Sequence, residues 1–364
     1  MRVADPVRRW AEGVPEIAAE EASEARLPPS CGGWLPALVP HLPGGLVTPE
    51  ARAAAFRFAG RLPPDALTAL EVRLAPGPAP VDVSQQITRP AQARRLAEWV
   101  EPPHLRRLLD DWAREPDPRT PFLWVEFDLD PAGAEPLSPV FIFRIKRRRE
   151  PLWIVDRLLP RLQGAPLGPA QRALALRALE AQPAPGKIAH VFSLRARGGD
   201  AVRLDFFKLP PPAMAEHLRR LDRPDLAAAL EGAAGLVADA DRFQYNFDVA
   251  GAIGPRVGLE AFYGGWTGAD GRWRRLLDRL VAAGLCDPAK RDGVAAWSGH
   301  APRSDGTHVL RFLSHVKLAC HAGGAVEAKA YLLAGLFRRD AGGRLRLTAG
   351  GALDAPAAGR AVAR

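Results

Sequence analysis

Charged and aromatic side chains that could act together lie near the end of the chain. Residues 307–337 read THVLRFLSHVKLACHAGGAVEAKAYLLAGLF and divide at a Gly-Gly pair into two runs of alternating residues, a pattern typical of a β-hairpin. Because successive strand residues point to opposite faces, His315, Lys317, Lys329 and Tyr331 are predicted to share one face. If that face lines a cavity, its cations could bind an anionic small molecule. If it faces water, they are ordinary surface charges.

Strict alternation assigns each residue of the first of these two strands to a face. The predicted polar face carries Arg311 with His315, Lys317 and His321, and the predicted apolar face carries Phe312, Ser314, Val316, Leu318 and Cys320. Lys317 and Lys329 could also form simple ion pairs with Glu260 or Glu327, which is the structural alternative to a ligand site.

Four earlier parts of the chain repeat the pattern of two alternating strands joined by a turn. The predicted strand pairs are 69–74 with 81–88, 123–129 with 141–146, 190–195 with 202–207, and 243–249 with 257–263. Each pair has one apolar face and one face with charged residues, among them Glu71, Arg144, Lys146 and Arg203.

Amphipathic helical segments fall between the hairpins, so the chain predicts an α+β fold with helix and hairpin repeated five times. An open sheet of ten strands would leave two long edges, which sheets of this size avoid by closing. We therefore expect a ten-stranded antiparallel β-barrel surrounded by α-helices, with the charged faces inside a lumen wide enough for a small molecule. The predicted organisation is a helical, proline-rich extension at 1–50, one barrel domain at 51–338 and a mobile tail at 339–364.

Composition excludes several other classes of protein. The 364 residues are 47% hydrophobic with a net charge of +9, and the charge is spread along the chain except at Arg147-Arg148-Arg149. A nucleic-acid partner is therefore not expected. Three distant cysteines argue against a disulfide framework or a zinc site. With no leader-like or membrane-spanning segment, the sequence predicts a cytoplasmic protein without a membrane partner.

Short motifs on these strands are similar to those of a known family. Five αββα units that form a helix-ringed barrel resemble the ABBA-type aromatic prenyltransferases. Glu71 in Leu70-Glu71-Val72-Arg73 resembles the acceptor-binding glutamate of the family's indole branch, and Lys329-Ala330-Tyr331 and Arg144-Ile145-Lys146 resemble its diphosphate-binding pairs. Where the family has Arg-x-Lys-x-Tyr, this chain has Arg203-Leu204-Asp205-Phe206-Phe207, which keeps only the arginine.

The resemblance implies transfer of an allylic prenyl group from an isoprenoid diphosphate to an aromatic small molecule or a peptide side chain. Glu71 would orient the acceptor or take its proton, with His315 as a second base. It implies no required cofactor and leaves Mg²⁺ as an optional ion. The residues expected to bind the diphosphate are Arg144, Lys146, Arg203, Lys317, Lys329 and Tyr331.

Three other functions remain open from the sequence. The same cationic lumen could belong to another transferase or another enzyme that acts on an anionic small substrate. A lumen without convergent cations would instead indicate a non-catalytic barrel that binds a lipid or a peptide. Basic groups clustered on the exterior would indicate nucleic-acid binding.

Overall fold

Most strands that are adjacent in the sequence are also adjacent in the sheet of this computed structural model. It describes residues 31–63, 67–98, 100, 102–115, 117, 119–120, 122–129, 140–144, 150–263, 271–339 and 345–347. The twelve strands are β1 (Thr68–Arg73), β2 (Val81–Ile87), β3 (Leu123–Phe127), β4 (Val140–Arg144), β5 (Lys187–Ser193), β6 (Val202–Phe207), β7 (Arg242–Val249), β8 (Ile253–Phe262), β9 (Gly299–Pro302), β10 (His308–His321), β11 (Val326–Arg339) and β12 (Leu345–Leu347).

Ten of these strands close into a barrel. Hydrogen bonds run in order from β1 to β8, then to β10 and β11, and β11 pairs back with β1. Every pairing is antiparallel, and β1 meets β11 with Glu71 opposite Tyr331. The predicted barrel of five hairpins is confirmed. The chain thereby avoids the open edges that an isolated ten-stranded sheet would expose.

Helices separate the hairpins, as the sequence pattern predicted. They are α1 (Pro49–Ala59), α2 (Pro90–Ala97), α3 (Pro103–Arg114), α4 (Pro151–Trp153), α5 (Leu159–Gln163), α6 (Pro169–Glu180), α7 (Pro211–Arg220), α8 (Pro224–Ala234), α9 (Gly271–Ala282) and α10 (Pro288–Ala295), and a π-helical turn, Ile154–Leu158, joins α4 to α5. Many begin with proline at the first helical position, where its missing N–H has no intrahelical partner to lose. The Thr48 side chain accepts a hydrogen bond from the Ala51 amide at 3.2 Å and so caps the N-terminus of α1.

The main apolar core lies between the helices and the outer surface of the sheet. Strand residues such as Val72, Leu204 and Leu259 join helix residues such as Leu108 and Leu277 in one continuous cluster. Their alternate neighbours point the other way, into the lumen. The core therefore fixes which side chains the lumen receives.

A β-bulge corrects the sequence-based assignment of faces on β10. The register with β11 shifts between Leu313 and His315, so one extra residue interrupts the alternation. Leu310 and Phe312 consequently lie in an apolar cluster with Leu67 and Leu333 on the lumen side. Arg311 instead donates to the Trp297 carbonyl oxygen at 3.0 Å. The prediction that Phe312 lies on the apolar face and Arg311 on the polar face was wrong.

Two strands and a buried segment lie outside the predicted hairpins. Strand β9 pairs with the first part of β10, and β12 pairs with the end of β11. Before α1, the 3₁₀ turns Cys31–Gly33 and Leu35–His41 place Trp34, Leu35 and Leu38 in the main core. Residues 1–30 of the predicted helical, proline-rich extension lie outside the described residues. No helix in the described part of the chain is both long and apolar enough to span a membrane.

Candidate functional site

The lumen contains a cavity of about 690 Å³. Inward-facing side chains from nine of the ten barrel strands line its wall. The tenth strand is β4, whose side chains are outside the described part of the structure. The predicted site residues Glu71, Arg203, His315, Lys317, Lys329 and Tyr331 all line this one cavity. The closure of β1 on β11 brings Glu71 and Tyr331, which are 260 residues apart in the sequence, into side-chain contact.

Glu71 is the centre of one cluster at this junction. Lys329 Nζ donates to Glu71 Oε1 at 2.5 Å, and the Tyr331 hydroxyl donates a short hydrogen bond to Glu71 Oε2. Burial by itself would raise the pKa of Glu71, but Lys329 and Lys317, with these hydrogen bonds, lower it to about 2. Glu71 is therefore a fixed carboxylate at neutral pH, suited to accepting hydrogen bonds.

Lys317 forms a second buried pair on the next strand. Its Nζ lies 3.3 Å from Glu260 Oε1, and Asn246 donates to the same oxygen at 2.9 Å. Gly258 makes room for this arrangement, because a Cβ there would lie 2.6 Å from Lys317 Cε and 2.7 Å from Asn246 Oδ1. Burial lowers the pKa of Lys317 and outweighs the opposing effect of Glu260. The predicted alternative, pairing with Glu260, thus holds for Lys317, whereas Lys329 pairs with Glu71.

His315 lies in a stack of rings on the lumen wall. Its imidazole is parallel to the Tyr331 ring at a centroid separation of 4.0 Å, and Phe262 lies 4.7 Å away on a tilted plane. Ser314 Oγ is 3.0 Å from its Nδ1. Burial lowers the pKa of His315 to about 4 despite the nearby Glu260, so the ring is neutral at pH 7. The neutral, stacked imidazole of His315 is therefore better suited to provide an aromatic surface than to act as a base.

Arg203 is held by Asp248 on the neighbouring strand. Its Nε and Nη2 donate to the two carboxylate oxygens at 2.6 and 3.1 Å. Burial favours the protonated form of Asp248, but Arg203 dominates and keeps the pKa of Asp248 below its ordinary value. Such a two-bond pair orients the guanidinium firmly.

Two residues after Arg203, where the resemblance would place a lysine, Asp205 forms an acidic site. Its Oδ2 lies 2.8 Å from His190 Nδ1 and accepts a short hydrogen bond from Gln244. Phe207, in place of the tyrosine, also lines the lumen. The departure seen in the sequence therefore replaces the expected lysine and tyrosine of this wall with a hydrogen-bonded carboxyl group and an apolar ring.

Two predicted diphosphate ligands have side chains outside the described part of the structure. Arg144 is the last residue of β4, a strand that the structure describes by its backbone only, with Arg144 opposite His190. Lys146 lies outside the described residues. Their roles remain predictions from the sequence.

Several lumen residues were missed by the sequence analysis. Asp82 accepts a hydrogen bond from Arg73 at 3.1 Å, and Arg197 contacts Asp128 at 2.5 Å and also bonds Glu126. Glu126 and Asp128 do alternate on the predicted polar face of β3, so their lumen position could have been inferred. Arg197 comes from the turn Arg195–Arg197, and no periodic pattern marks a turn residue that reaches across to another hairpin.

The ionisable residues of the lumen are balanced in charge. Among the described lining residues, seven are acidic and seven are lysine or arginine: Glu71, Asp82, Glu126, Asp128, Asp205, Asp248 and Glu260; Arg73, Arg197, Arg203, Arg242, Arg256, Lys317 and Lys329. A ligand with concentrated negative charge must therefore compete with carboxylates for these cations.

Among the described residues, no group of three or more His, Cys, Asp or Glu side chains is arranged to hold a metal ion. The expectation about Mg²⁺ stays a prediction.

Comparison with known proteins gives structural matches only. No protein-family model matches the chain, and a search of curated proteins finds no match in sequence. The structure is similar to 5-dimethylallyltryptophan synthase from Streptomyces coelicolor, with a TM-score of 0.51 and 16% identity over 83% of this chain and 97% of that chain. It is also similar to PriB in binary complex with product diphosphate, with a TM-score of 0.50 and 17% identity over 83% of this chain and 96% of that chain. The chain therefore has the ABBA barrel fold of the aromatic prenyltransferases.

Proposed function

We propose that this protein transfers a prenyl group from an isoprenoid diphosphate to an aromatic acceptor bound in the barrel lumen. The observation that carries the proposal is the buried Glu71, Lys329 and Tyr331 cluster where β1 closes on β11. It places a permanent carboxylate, a cation and an aromatic hydroxyl side by side in an enclosed cavity. The names of the two structural neighbours, a dimethylallyltryptophan synthase and a protein bound to product diphosphate, are consistent with it.

The charges and rings of the lumen suit the two halves of this reaction. As the allylic carbon–oxygen bond breaks, negative charge grows on the diphosphate, and fixed cations such as Lys317, Lys329 and Arg203 stabilise it most at that moment. The allylic fragment becomes cationic, and the faces of Tyr331 and Phe262 attract a cation through their π electrons. Glu71 would hold a donor N–H or O–H group of the acceptor. The acceptor is an aromatic small molecule or an aromatic side chain of a peptide.

The experiment supplies purified protein with dimethylallyl or geranyl diphosphate and a panel of aromatic acceptors, including tryptophan and aromatic peptides. We expect a product heavier by one prenyl group, detected by mass spectrometry together with released diphosphate. Lys317→Met and Lys329→Met should each weaken binding of dimethylallyl thiolodiphosphate at least tenfold, about 1.4 kcal/mol. Asp156→Asn, which removes an exposed partner of Arg172 outside the lumen, is the matched control and should bind normally.

A second function, binding without catalysis, is favoured by the balanced charge of the lumen. A barrel whose cations are neutralised by its own carboxylates suits an uncharged or zwitterionic aromatic ligand. In the same experiment this function predicts acceptor binding by calorimetry, no affinity for the thiolodiphosphate and no product. That result would overturn the prenyltransferase proposal.

A further inference from the structure

Prenylation at an aromatic carbon needs a group that takes a proton, and this requirement rests on the proposed function. The ring carbon forms a bond to the allylic carbon, and the electron pair of the broken carbon–oxygen bond leaves with the diphosphate. The attacked carbon then carries a hydrogen that must depart as a proton, so that the carbon–hydrogen electron pair restores the aromatic ring. A general base whose pKa lies near the working pH removes this proton most efficiently.

The two bases expected from the sequence are poorly matched to this step. Hydrogen bonds from the Lys329 ammonium and the Tyr331 hydroxyl stabilise the ionised form of Glu71. Burial opposed by the lysines leaves its pKa at about 2, and burial lowers the pKa of His315 to about 4. Each group is therefore weakly basic at neutral pH and would hold a proton briefly.

Asp82 lies directly beside Glu71 on the next strand. The two residues are opposite each other in the register of β1 and β2, and Asp82 is only 3% exposed while lining the lumen. Its Oδ1 accepts from the Leu129 amide at 3.2 Å and its Oδ2 accepts from Arg73 Nη2 at 3.1 Å. Each carboxylate oxygen has two lone pairs, so both can still accept a proton.

The surroundings of Asp82 contain more carboxylates than cations. Two charged groups from β1, Glu71 and Arg73, face Asp82. Glu126 of β3 and Asp128, the residue that follows β3, face it from the other side. Arg197, from the β5–β6 connection, binds Glu126 and Asp128, and Lys329 of β11 binds Glu71. Four carboxylates thus share three cations. One proton shared within this group relieves the repulsion between like charges.

The pKa of Asp82 agrees with this geometry. Burial, and then the charge of Glu71, raise the pKa of Asp82 to about 7, while Arg73 opposes the change. The carboxyl therefore exchanges its proton near neutral pH, whereas its neighbour Glu71 stays ionised.

We infer that Asp82 is the general base that removes the proton from the prenylated ring carbon, while Glu71 positions the acceptor. One Asp82 oxygen takes the proton, the carboxyl becomes neutral, and Arg73 and the Leu129 amide keep it in place until the proton passes to water. The sequence offers no sign of this role, since Asp82 is one of several alternating polar residues on its strand.

The test measures steady-state kinetics of Asp82→Asn with an isoprenoid diphosphate and an aromatic acceptor that the wild type prenylates. The amide oxygen can still accept from Arg73 or from the Leu129 amide, the NH2 group then faces the other donor, and the carboxamide cannot take a proton. We expect kcat to fall by about 10² or more, with the dissociation constants of acceptor and donor analogue within about threefold of wild type. The wild-type rate should rise with pH through about 7, because the base acts when ionised, and this limb should disappear in the variant.

A second variant guards against a folding defect. Asp82→Ala should be inactive, and added formate should restore part of its rate by entering as a small carboxylate. Asp156→Asn, on the outer surface, should keep both the wild-type kcat and the pH limb. Asp82→Glu should retain a measurable rate and a pH limb, since it keeps the carboxyl.

A stability measurement follows the same proton independently of activity. With its pKa raised in the folded state, Asp82 stabilises the fold while protonated, and this contribution is lost as pH rises from its ordinary pKa towards about 7. The side-chain amide of the Asp82→Asn variant does not titrate, so the variant does not lose this stability as pH rises. The difference in melting temperature, variant minus wild type, should therefore increase between about pH 5 and about pH 8.

The outcomes separate the inference from the proposed function. A wild type that forms no prenylated product overturns both. An active wild type whose Asp82→Asn variant keeps its kcat and its pH limb overturns only the role of Asp82. The same holds if the variant loses activity solely through weaker binding, because Asp82 would then hold a ligand and not a proton.

Discussion

At the scale of single residues, the lumen is organised by pairs of opposite charge. Glu71 with Lys329, Glu260 with Lys317 and Asp248 with Arg203 each join neighbouring strands. Buried ion pairs of this kind contribute little net stability, because removing charges from water costs about as much as their attraction returns. Their contribution here is orientation. Each pair holds a cation at a defined place on the lumen wall.

Gly258 tests how far the position of one cation matters. Gly258→Ala would place a Cβ 2.6 Å from Lys317 Cε and displace that flexible side chain. We expect the affinity for dimethylallyl thiolodiphosphate to fall about three- to tenfold, up to about 1.4 kcal/mol, as calorimetry would measure it. The melting temperature should fall only modestly, since the new Cβ would displace two side chains, those of Lys317 and Asn246.

The matched control is Gly251→Ala, in the β7–β8 turn, where a Cβ would meet no atom within 4 Å. Its affinity for the analogue should equal that of wild type. Equal affinities for both variants would mean that Lys317 does not contact the diphosphate.

At the scale of elements, the bulge in β10 decides what each half of the strand presents to the lumen. Before the bulge the inward residues are apolar, including Leu310 and Phe312; after it they include His315 and Lys317. Trp297 contacts both strands next to the bulge. Its Nε1–H donates to the carbonyl oxygens of Phe312 and Leu333, at 3.2 Å each. The lumen thereby gains an apolar end next to its charged middle.

Trp297→Phe should weaken this junction of β10 and β11. The substitution removes a buried donor and leaves two carbonyl groups less well satisfied, at a cost of about 1–3 kcal/mol. Denaturant unfolding would show a lower midpoint at an unchanged slope, and amide exchange should accelerate in β10 and β11. Trp153→Phe, whose half-buried ring stacks on Arg119 at 4.0 Å, should lose less than about 1 kcal/mol. Equal losses would assign no special part to Trp297.

At the scale of the whole molecule, closure joins the beginning of the described chain to its end. Strand β1 pairs with β11, and the segment before α1 contributes Trp34 at 1% exposure to the main core. The division at residue 50 that the sequence suggested is a boundary in composition, and residues on both sides of it pack in one core. We therefore expect the segment from Cys31 to α1 to unfold together with the barrel.

Trp34→Ala measures that coupling. Truncating a fully buried tryptophan should cost about 3–5 kcal/mol, seen as a lower denaturation midpoint of the single transition followed by both circular dichroism and tryptophan fluorescence. Val39→Ala, at an exposed position of the same 3₁₀ segment, should cost less than about 0.5 kcal/mol. A small loss at Trp34, or a separate early transition, would show that the segment is an independent attachment.

The spacing of apolar residues by itself determined the five hairpins, through alternation, and the helices between them, through amphipathic segments, and so the closed barrel. Local rules suffice there, because side-chain direction in a strand follows from position alone and a sheet of ten strands favours closure. Alternation also gave the lumen position of Glu71, His315, Lys317, Lys329 and Tyr331. It failed at the bulge near Leu313, since an extra residue in one strand leaves no mark in composition.

Only the tertiary structure decided how the lumen residues are paired and protonated. That Lys329 meets Glu71, that Arg197 reaches Glu126 from a turn, and that the pKa of Asp82 rises while that of Glu71 falls all depend on distances between residues far apart in the chain. The electrostatic energy of a given pair of charges depends on those distances and on burial, which residue types alone do not provide. The sequence therefore predicted many of the groups that enter the lumen, and the closure of the barrel decided what each of them can do there.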